Sequence, residues 1–143
     1  MNSKLQNRQS ATLQNKMSEC EKLVELLNSY AKSKDMPDDI KNDLRLVTEE
    51  IFVNIINYAY KSADTQSVDI EFNSNTESVS ITFIDTGIAF NPITDCKKDI
   101  EKNDHCEGGM GIHLIMSLTD DQEYNRVDQR NVFTIIKYYT KKQ

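Results

Sequence analysis

The sequence lacks the features of secreted and membrane proteins. Its 143 residues include three cysteines and no tryptophan. Cys20, Cys96 and Cys106 are odd in number and widely spaced, which favours free thiols in a reducing compartment over a disulfide framework. No apolar run approaches the roughly 20 residues that a membrane helix needs, and the first residues lack the apolar core of a secretory signal. We therefore expect a soluble, cytoplasmic protein.

Positive charge is also scarce. The 17 Lys and Arg residues face 23 Asp and Glu residues, which gives a formal net charge of −6. Binding of nucleic acid by neutralising phosphates needs a basic stripe, and no basic run here is longer than two residues, as at Lys141–Lys142. The charge balance argues against a nucleic-acid-binding protein and favours proteins or nucleotides as partners.

Several common ligand-binding motifs are absent. The sequence contains no GxxxxGK[ST] phosphate loop, no GxGxxG dinucleotide fingerprint, no GxSxG nucleophile elbow and no HExxH metal-binding helix. It has no CxxC pair either, so Cys96, His105 and Cys106 are only a weak indication of a metal site. Any ligand must be bound by another arrangement.

The composition is sufficient for a single folded domain over residues 1–143. Hydrophobic residues make up 38% of the chain, which is above the level typical of disorder. A domain of this length buries roughly two thirds of the surface that its unfolded chain exposes, so it needs no disulfide or metal to fold. No repeat or linker divides the sequence.

The first periodic segment predicts an amphipathic helix over residues 13–31. Such a helix covers a sheet or faces a partner helix. Because a sheet covers only one of its sides, this helix is also our candidate surface for a homodimer or a protein partner. Its apolar positions alternate at intervals of four and three: Leu13, Met17, Cys20, Val24, Leu27 and Ala31.

The remaining pattern predicts an α+β fold. Helices grouped early and strands that pair mostly antiparallel indicate one mixed, mostly antiparallel sheet with helices on one face. Residues 91–107 show no periodicity and are long enough to indicate a functional or mobile loop. The predicted elements are a helix from Pro37 to about Tyr60, a hairpin over 68–72 and 79–83, a helix over 112–118, and strands over 122–127 and 132–139.

All four glycines lie between residues 87 and 111. Asp85 and Gly87 follow the second hairpin strand, where a carboxylate beside a glycine can accept a hydrogen bond from a planar ligand. An ordinary Asx turn is the alternative.

The second glycine cluster comes immediately before the predicted helix at Ile112. Gly108, Gly109 and Gly111 leave free backbone N–H groups at a helix start, which can bind a phosphate. A flexible hinge at the end of a loop is the alternative.

A third set of polar residues follows the long predicted helix at intervals of four. Glu50, Asn54 and Tyr58 therefore share one face, close to the apolar stripe. An amide oxygen suits a Mg²⁺ ion that keeps waters and takes other ligands from phosphates. A solvated Glu beside a buried, hydrogen-bonded Asn is the alternative.

Together the three sets resemble the N, G1 and G2 boxes of the Bergerat-type ATP-binding superfamily shared by gyrase and histidine kinases. The Glu four residues before Asn, the DxGxxF(N/D)P form of G1 and the single-domain length are similar to bacterial anti-sigma-factor serine/threonine kinases. The residues that carry the resemblance are Glu50, Asn54, Tyr58, Ala59, Tyr60, Asp85, Gly87, Phe90, Asn91, Pro92, Gly108, Gly109, Gly111 and Ile112.

The resemblance implies a site for ATP and Mg²⁺. It implies that Asn54 holds Mg²⁺, that Glu50 is the general base, and that Asp85 accepts from the adenine amino group beside Gly87. The cofactor-binding residues that it implies are Asn54, Asp85, Gly87, Phe90, Gly108, Gly109, Gly111 and Ile112.

The sequence departs from the family pattern at two places. Tyr58 stands where many relatives have His, which leaves the roles of Glu50 and Asn54 intact. The loop over residues 91–107, which would be the ATP lid, contains no Arg. Its only basic side chains for the terminal phosphate are Lys97, Lys98 and Lys102.

The implied activity is that of a kinase that also binds proteins. Such proteins sequester a sigma factor and phosphorylate a Ser or Thr of an anti-anti-sigma (STAS-type) partner, and we expect a homodimer. One alternative is a module of the same fold in which nucleotide occupancy controls partner binding without phosphoryl transfer. The ATPase half of a histidine-kinase system is disfavoured, because no dimerisation helix bears a phospho-acceptor His; His105 and His113 lie in the lid and after G2.

Overall fold

The computed structural model describes residues 8–60, 65–95 and 109–139. Within these ranges the chain forms five strands and three α-helices, so the predicted α+β class is confirmed. The elements are β1 (Arg8–Gln14), α1 (Cys20–Ser33), α2 (Asp38–Asn54), β2 (Ser67–Ser74), β3 (Ser78–Asp85), α3 (Gly109–Leu118), β4 (Asp121–Val127) and β5 (Arg130–Tyr138).

The strands form one sheet in the order β1-β2-β3-β5-β4. Every pairing is antiparallel, so the expectation of a mixed sheet is wrong for the described strands. The reason is that two hairpins, β2–β3 and β4–β5, meet through β3 and β5, which also run in opposite directions.

One face of the sheet carries the core. Alternate residues of the three central strands are buried, as the period of two predicts. The central row of this face pairs Ile70 with Phe83, and Phe83 with Phe133. The helices cover these residues with their own apolar stripes, among them Leu27 of α1, Ile51 of α2 and Ile115 of α3.

The prediction of a helix over residues 13–31 is wrong at its start. Leu13 belongs to β1, pairs with Val68 of β2 and is 1% exposed. A short 3₁₀ turn at Met17–Glu19 separates β1 from α1, and Met17 is 54% exposed. The buried residues of α1 are Leu23, Leu27, Tyr30 and Ala31, and its opposite side is polar.

The second helix agrees with the prediction and ends in an irregular turn. Pro37 precedes α2, and Asp38 and Asp39 lie in its positively polarised first turn. After Asn54 the chain continues as a π-helical turn over Ile55–Ala59. Single π-helical turns are frequent at functional sites.

The two hairpins are closed by polar turns. Asn75 Oδ1 accepts from the backbone N–H groups of Glu77 and Ser78, both at 2.8 Å. Between β4 and β5, Asp128 and Gln129 have positive φ angles of 49° and 63°, which is the conformation of a type I′ turn. On its other edge β5 pairs with β3, and that pairing places Asn131 opposite Asp85.

No helix within the described ranges is long and apolar enough to span a membrane.

Candidate functional site

Asn54, the last residue of α2, has a buried side-chain amide without hydrogen bonds. The residue is 0% exposed, and neither its Nδ2 nor its Oδ1 has a hydrogen-bond partner in the described part of the chain. A buried amide without partners costs roughly 1–3 kcal/mol, so native proteins seldom retain one without a ligand or a function. The alternative of a hydrogen-bonded structural Asn does not fit this geometry.

Glu50 lies one turn before Asn54 and contacts the second glycine cluster. A Cβ on Gly111 would be 2.0 Å from Glu50 Oε1 and 2.4 Å from its Cγ. A side chain at position 111 would therefore displace the Glu50 side chain, which occupies the space of a Cβ. The structure thus brings the acidic residue of α2 to the first turn of α3.

Gly87 joins the first glycine cluster to the end of the π-helical turn. A Cβ at this position would lie 2.3 Å from the carbonyl oxygen of Ala59. The next residue, Ile88, donates its N–H to the same oxygen at 2.8 Å. The absence of a side chain lets the loop after β3 lie directly on the backbone that follows Asn54.

Asp85 ends β3 as a buried carboxylate, 2% exposed. Its Oδ1 accepts from the Gly87 N–H at 2.9 Å and from Asn131 Nδ2 at 2.8 Å. Burial raises the pKa of the Asp85 carboxyl, and the hydrogen bonds from Asn131 and Gly87 and the charge of Arg126 oppose that rise. The hydrogen bond from Gly87 forms the Asx-type turn that was one of the two interpretations of this motif. In the other interpretation the same carboxylate accepts a hydrogen bond from a ligand, and that stays a prediction.

Asn131 is a residue of the site that the sequence motifs did not indicate. It is the second residue of β5, is 2% exposed and contacts Asp85 across the sheet. The strand register would have indicated it, because Asn131 is a polar residue at an inward position of β5 and pairs with the end of β3. No local motif gives that register.

Phe90 and Ile112 are buried beneath the site. Phe90 is 6% exposed and stacks on Tyr58, with ring centroids 5.7 Å apart. Ile112 is 1% exposed in the first part of α3. Both support the surrounding backbone, and their contact with a nucleotide stays a prediction.

Part of the predicted site lies outside the described residues. This holds for Gly108, for the lid residues after Asp95, with Lys97, Lys98 and Lys102, and for Cys96, His105 and Cys106. Gly109 begins α3.

The donor set at the end of α2 fits a magnesium ion that is shared with a nucleotide. The unpartnered Oδ1 of Asn54 is a neutral oxygen ligand, which Mg²⁺ accepts when phosphates and waters complete its coordination. The N-terminus of α3 is polarised positively and lies beside the Glu50 side chain. Phosphate oxygens near Gly109 and Gly111 would thus be close to Asn54, on the neighbouring turn of α2.

Comparison with known protein families gives a match over most of the chain. A family model described as the histidine kinase-like ATPase domain matches residues 13–137. This range includes the described elements from the end of β1 to nearly the end of β5. No curated protein matches the chain.

Proposed function

The chain belongs to the histidine kinase-like ATPase domain family, and from this membership we propose that it is an anti-sigma regulator with ATP-dependent protein kinase activity. In this proposal it sequesters a sigma factor and phosphorylates a Ser or Thr of an anti-anti-sigma partner of the STAS type. The family supports ATP binding and the α+β fold of Bergerat type. The finer activity is supported by the acidic residue at position 50 and by the form of the Asp85 motif.

The observation that carries the proposal is the unpartnered, fully buried amide of Asn54 one turn from Glu50. This costly group supports a site that binds phosphates together with a metal, which the kinase and the nucleotide-gated module share. Magnesium, if held by Asn54, would supply positive charge that offsets the charge of the phosphates.

The residues around this amide have separable tasks in phosphoryl transfer. Asn54 holds the metal, and the backbone at the start of α3 binds the phosphates. Asp85 receives the adenine edge. Glu50, against Gly111, takes the proton from the attacking hydroxyl of the substrate. These roles place the base and the metal ligand on successive turns of one helix, with the phosphates beside them.

Radiolabelled ATP tests the activity. The full chain is incubated with Mg²⁺, labelled ATP and purified candidate STAS-type proteins. Transfer of label to a Ser or Thr of one partner supports the kinase. Nucleotide binding together with nucleotide-dependent partner binding, but without transfer, supports instead the nucleotide-gated module.

Loss of the adenine contact should weaken nucleotide binding. Asp85→Ala removes a buried charged acceptor, which costs about 1.5–3 kcal/mol, or roughly ten- to a hundredfold in ATP and ADP affinity. Calorimetry on folded protein measures the effect. The matched control is Asp69→Ala, which removes a carboxylate from the opposite face of the neighbouring strand. Equal affinity for wild type and Asp85→Ala would contradict the assigned contact.

For the protein partner we propose the polar side of α1. Glu25 and Lys32 are exposed and lie on the same side of the helix, away from the core residues. Exchange of their charges should abolish a sigma-factor complex or a homodimer in sedimentation. The control is the same exchange at Glu123 and Arg130, which are exposed on the β4–β5 hairpin. Binding that survives the α1 exchange excludes this surface.

A further inference from the structure

The side chain of Asn131 joins the last hairpin of the sheet to the loop after β3. Its Nδ2 donates to Asp85 Oδ1 at 2.8 Å and to the carbonyl oxygen of Ile88 at 2.7 Å. Its Oδ1 accepts from the Phe90 N–H at 3.1 Å. One amide thus contacts the carboxylate and two residues, Ile88 and Phe90, of the segment that follows it.

Two side chains of β4 also donate hydrogen bonds to the oxygen of this amide. Arg126 donates to Asn131 Oδ1 at 3.1 Å and to the Gly87 carbonyl oxygen at 2.8 Å. The Tyr124 hydroxyl donates to the same Oδ1. Both N–H bonds of the Asn131 amide are in use, and its oxygen has more donors than lone pairs. Its hydrogen-bonding capacity is therefore filled before any ligand arrives.

The amide also decides which oxygen of Asp85 is available. Oδ1 already accepts from Gly87 and Asn131. Among the described residues no donor is found for Oδ2. The two hydrogen bonds hold the carboxylate plane, with one oxygen used by the protein and the other left as an acceptor.

We propose that Asn131 is a positioning residue for nucleotide binding, which fixes Asp85 and the backbone of residues 86–90 in the geometry that receives the base, without contacting the nucleotide itself. This inference rests on the proposed ATP site. It assigns a task to the β4–β5 hairpin, whose residues Tyr124 and Arg126 secure the amide. The loop after β3 depends on this hairpin, although the two are far apart in sequence.

The test is Asn131→Asp, which keeps the shape and the acceptor oxygen but removes the donors to Asp85 and to the Ile88 carbonyl oxygen. Two carboxyl groups in contact share one proton and separate once both are ionised. The titratable and charged groups that face Asp85 are Arg126 and Tyr124 of β4 and Tyr60 after α2. Arg126 favours the ionised forms, so the shared proton is lost at a lower pH than without it.

Binding of Mg-ADP is measured between about pH 6 and pH 9. At the alkaline end we expect Asn131→Asp to bind about tenfold more weakly than wild type, because the ionised pair separates. Towards the acidic end the shared proton restores the donor to Asp85, although not the donor to Ile88, so the loss of affinity relative to wild type should become smaller. The control Asn125→Asp adds the same charge on exposed β4 and should follow wild type at every pH.

The outcomes separate this inference from the proposed function. If wild type does not bind Mg-ADP, both fail. If wild type binds and Asn131→Asp keeps an affinity ratio near one at every pH, only the positioning role is overturned. A loss that does not change with pH also overturns it, since general damage to the fold would give that result.

A second variant applies if Asn131→Asp does not fold. The pair Tyr124→Phe and Arg126→Met removes two donors to Asn131 Oδ1 and leaves Asp85 and Asn131 in place. We expect at least fivefold weaker Mg-ADP binding, together with faster hydrogen exchange at the Phe90 amide in the nucleotide-free protein. Wild-type affinity and exchange in the double variant overturn the proposal.

Discussion

Glu50→Gln is expected to lower phosphoryl transfer by about 10² to 10⁴ while Mg-ATP still binds. The substitution keeps the size of the side chain that fills the space above Gly111, so the contact between α2 and α3 is preserved. In the proposed role of Glu50 as general base, it removes the ability to accept a proton from the substrate hydroxyl. Single-turnover transfer to the STAS-type partner measures the rate, and calorimetry measures binding.

The adjacent residue provides the control for this experiment. Glu49 points to the surface and pairs with Arg45, with 3.1 Å between Glu49 Oε1 and Arg45 Nε. Glu49→Gln therefore makes the same chemical change at the next position of α2 and should leave transfer unchanged. Transfer at the wild-type rate in Glu50→Gln would make Glu50 a structural residue. A wild-type protein that binds ATP without any transfer would favour the nucleotide-gated module.

The elements that could be predicted from sequence are those with a local pattern. Val68, Ile70 and Phe72 alternate with polar residues, and the structure places them on β2, facing the core. Helix α2 combines an apolar stripe with acidic residues in its first turn. In both cases the residues that decide the structure lie within one element.

Strand β1 could not be predicted in this way. Its buried Leu13 lies four residues before Met17. By chance, this spacing continues the apolar stripe of α1 towards the N-terminus. Residues 8–14 form a strand because they pair with β2, which lies more than 50 residues later in the chain. Leu13, for example, pairs with Val68. A periodicity analysis within one segment contains no information on that partner.

In the candidate site, too, residues in contiguous motifs could be predicted and a residue with distant contacts could not. The glycines and Asp85 were found because each motif is contiguous, and the structure adds the reason for two of them: Gly87 lies on Ala59 and Gly111 lies on Glu50. Asn131 was missed because its contacts reach β3, the following loop and β4. Such a residue becomes visible only once the register of the strands is known.

Asn54→Ala should separate function from stability. Binding of Mg-ATP should weaken at least tenfold, and transfer should fall with it, because the metal loses its protein ligand. The free energy of unfolding should change little. The substitution deletes a buried amide whose lack of partners costs roughly 1–3 kcal/mol, and this gain offsets the cavity that it leaves. Calorimetry with Mg²⁺ or EDTA and urea unfolding measure the two effects.

Thr48 offers the matched control on the same helix. Its buried Oγ1 also has no hydrogen-bond partner in the described part of the chain, but it lies more than one turn before Asn54. Thr48→Val should leave both stability and nucleotide binding near wild type, whereas Asn54→Ala should lose the dependence of ATP affinity on Mg²⁺. If Asn54→Ala keeps that dependence, the metal is held elsewhere. If it instead unfolds readily, Asn54 has a structural partner and its amide is not reserved for a ligand.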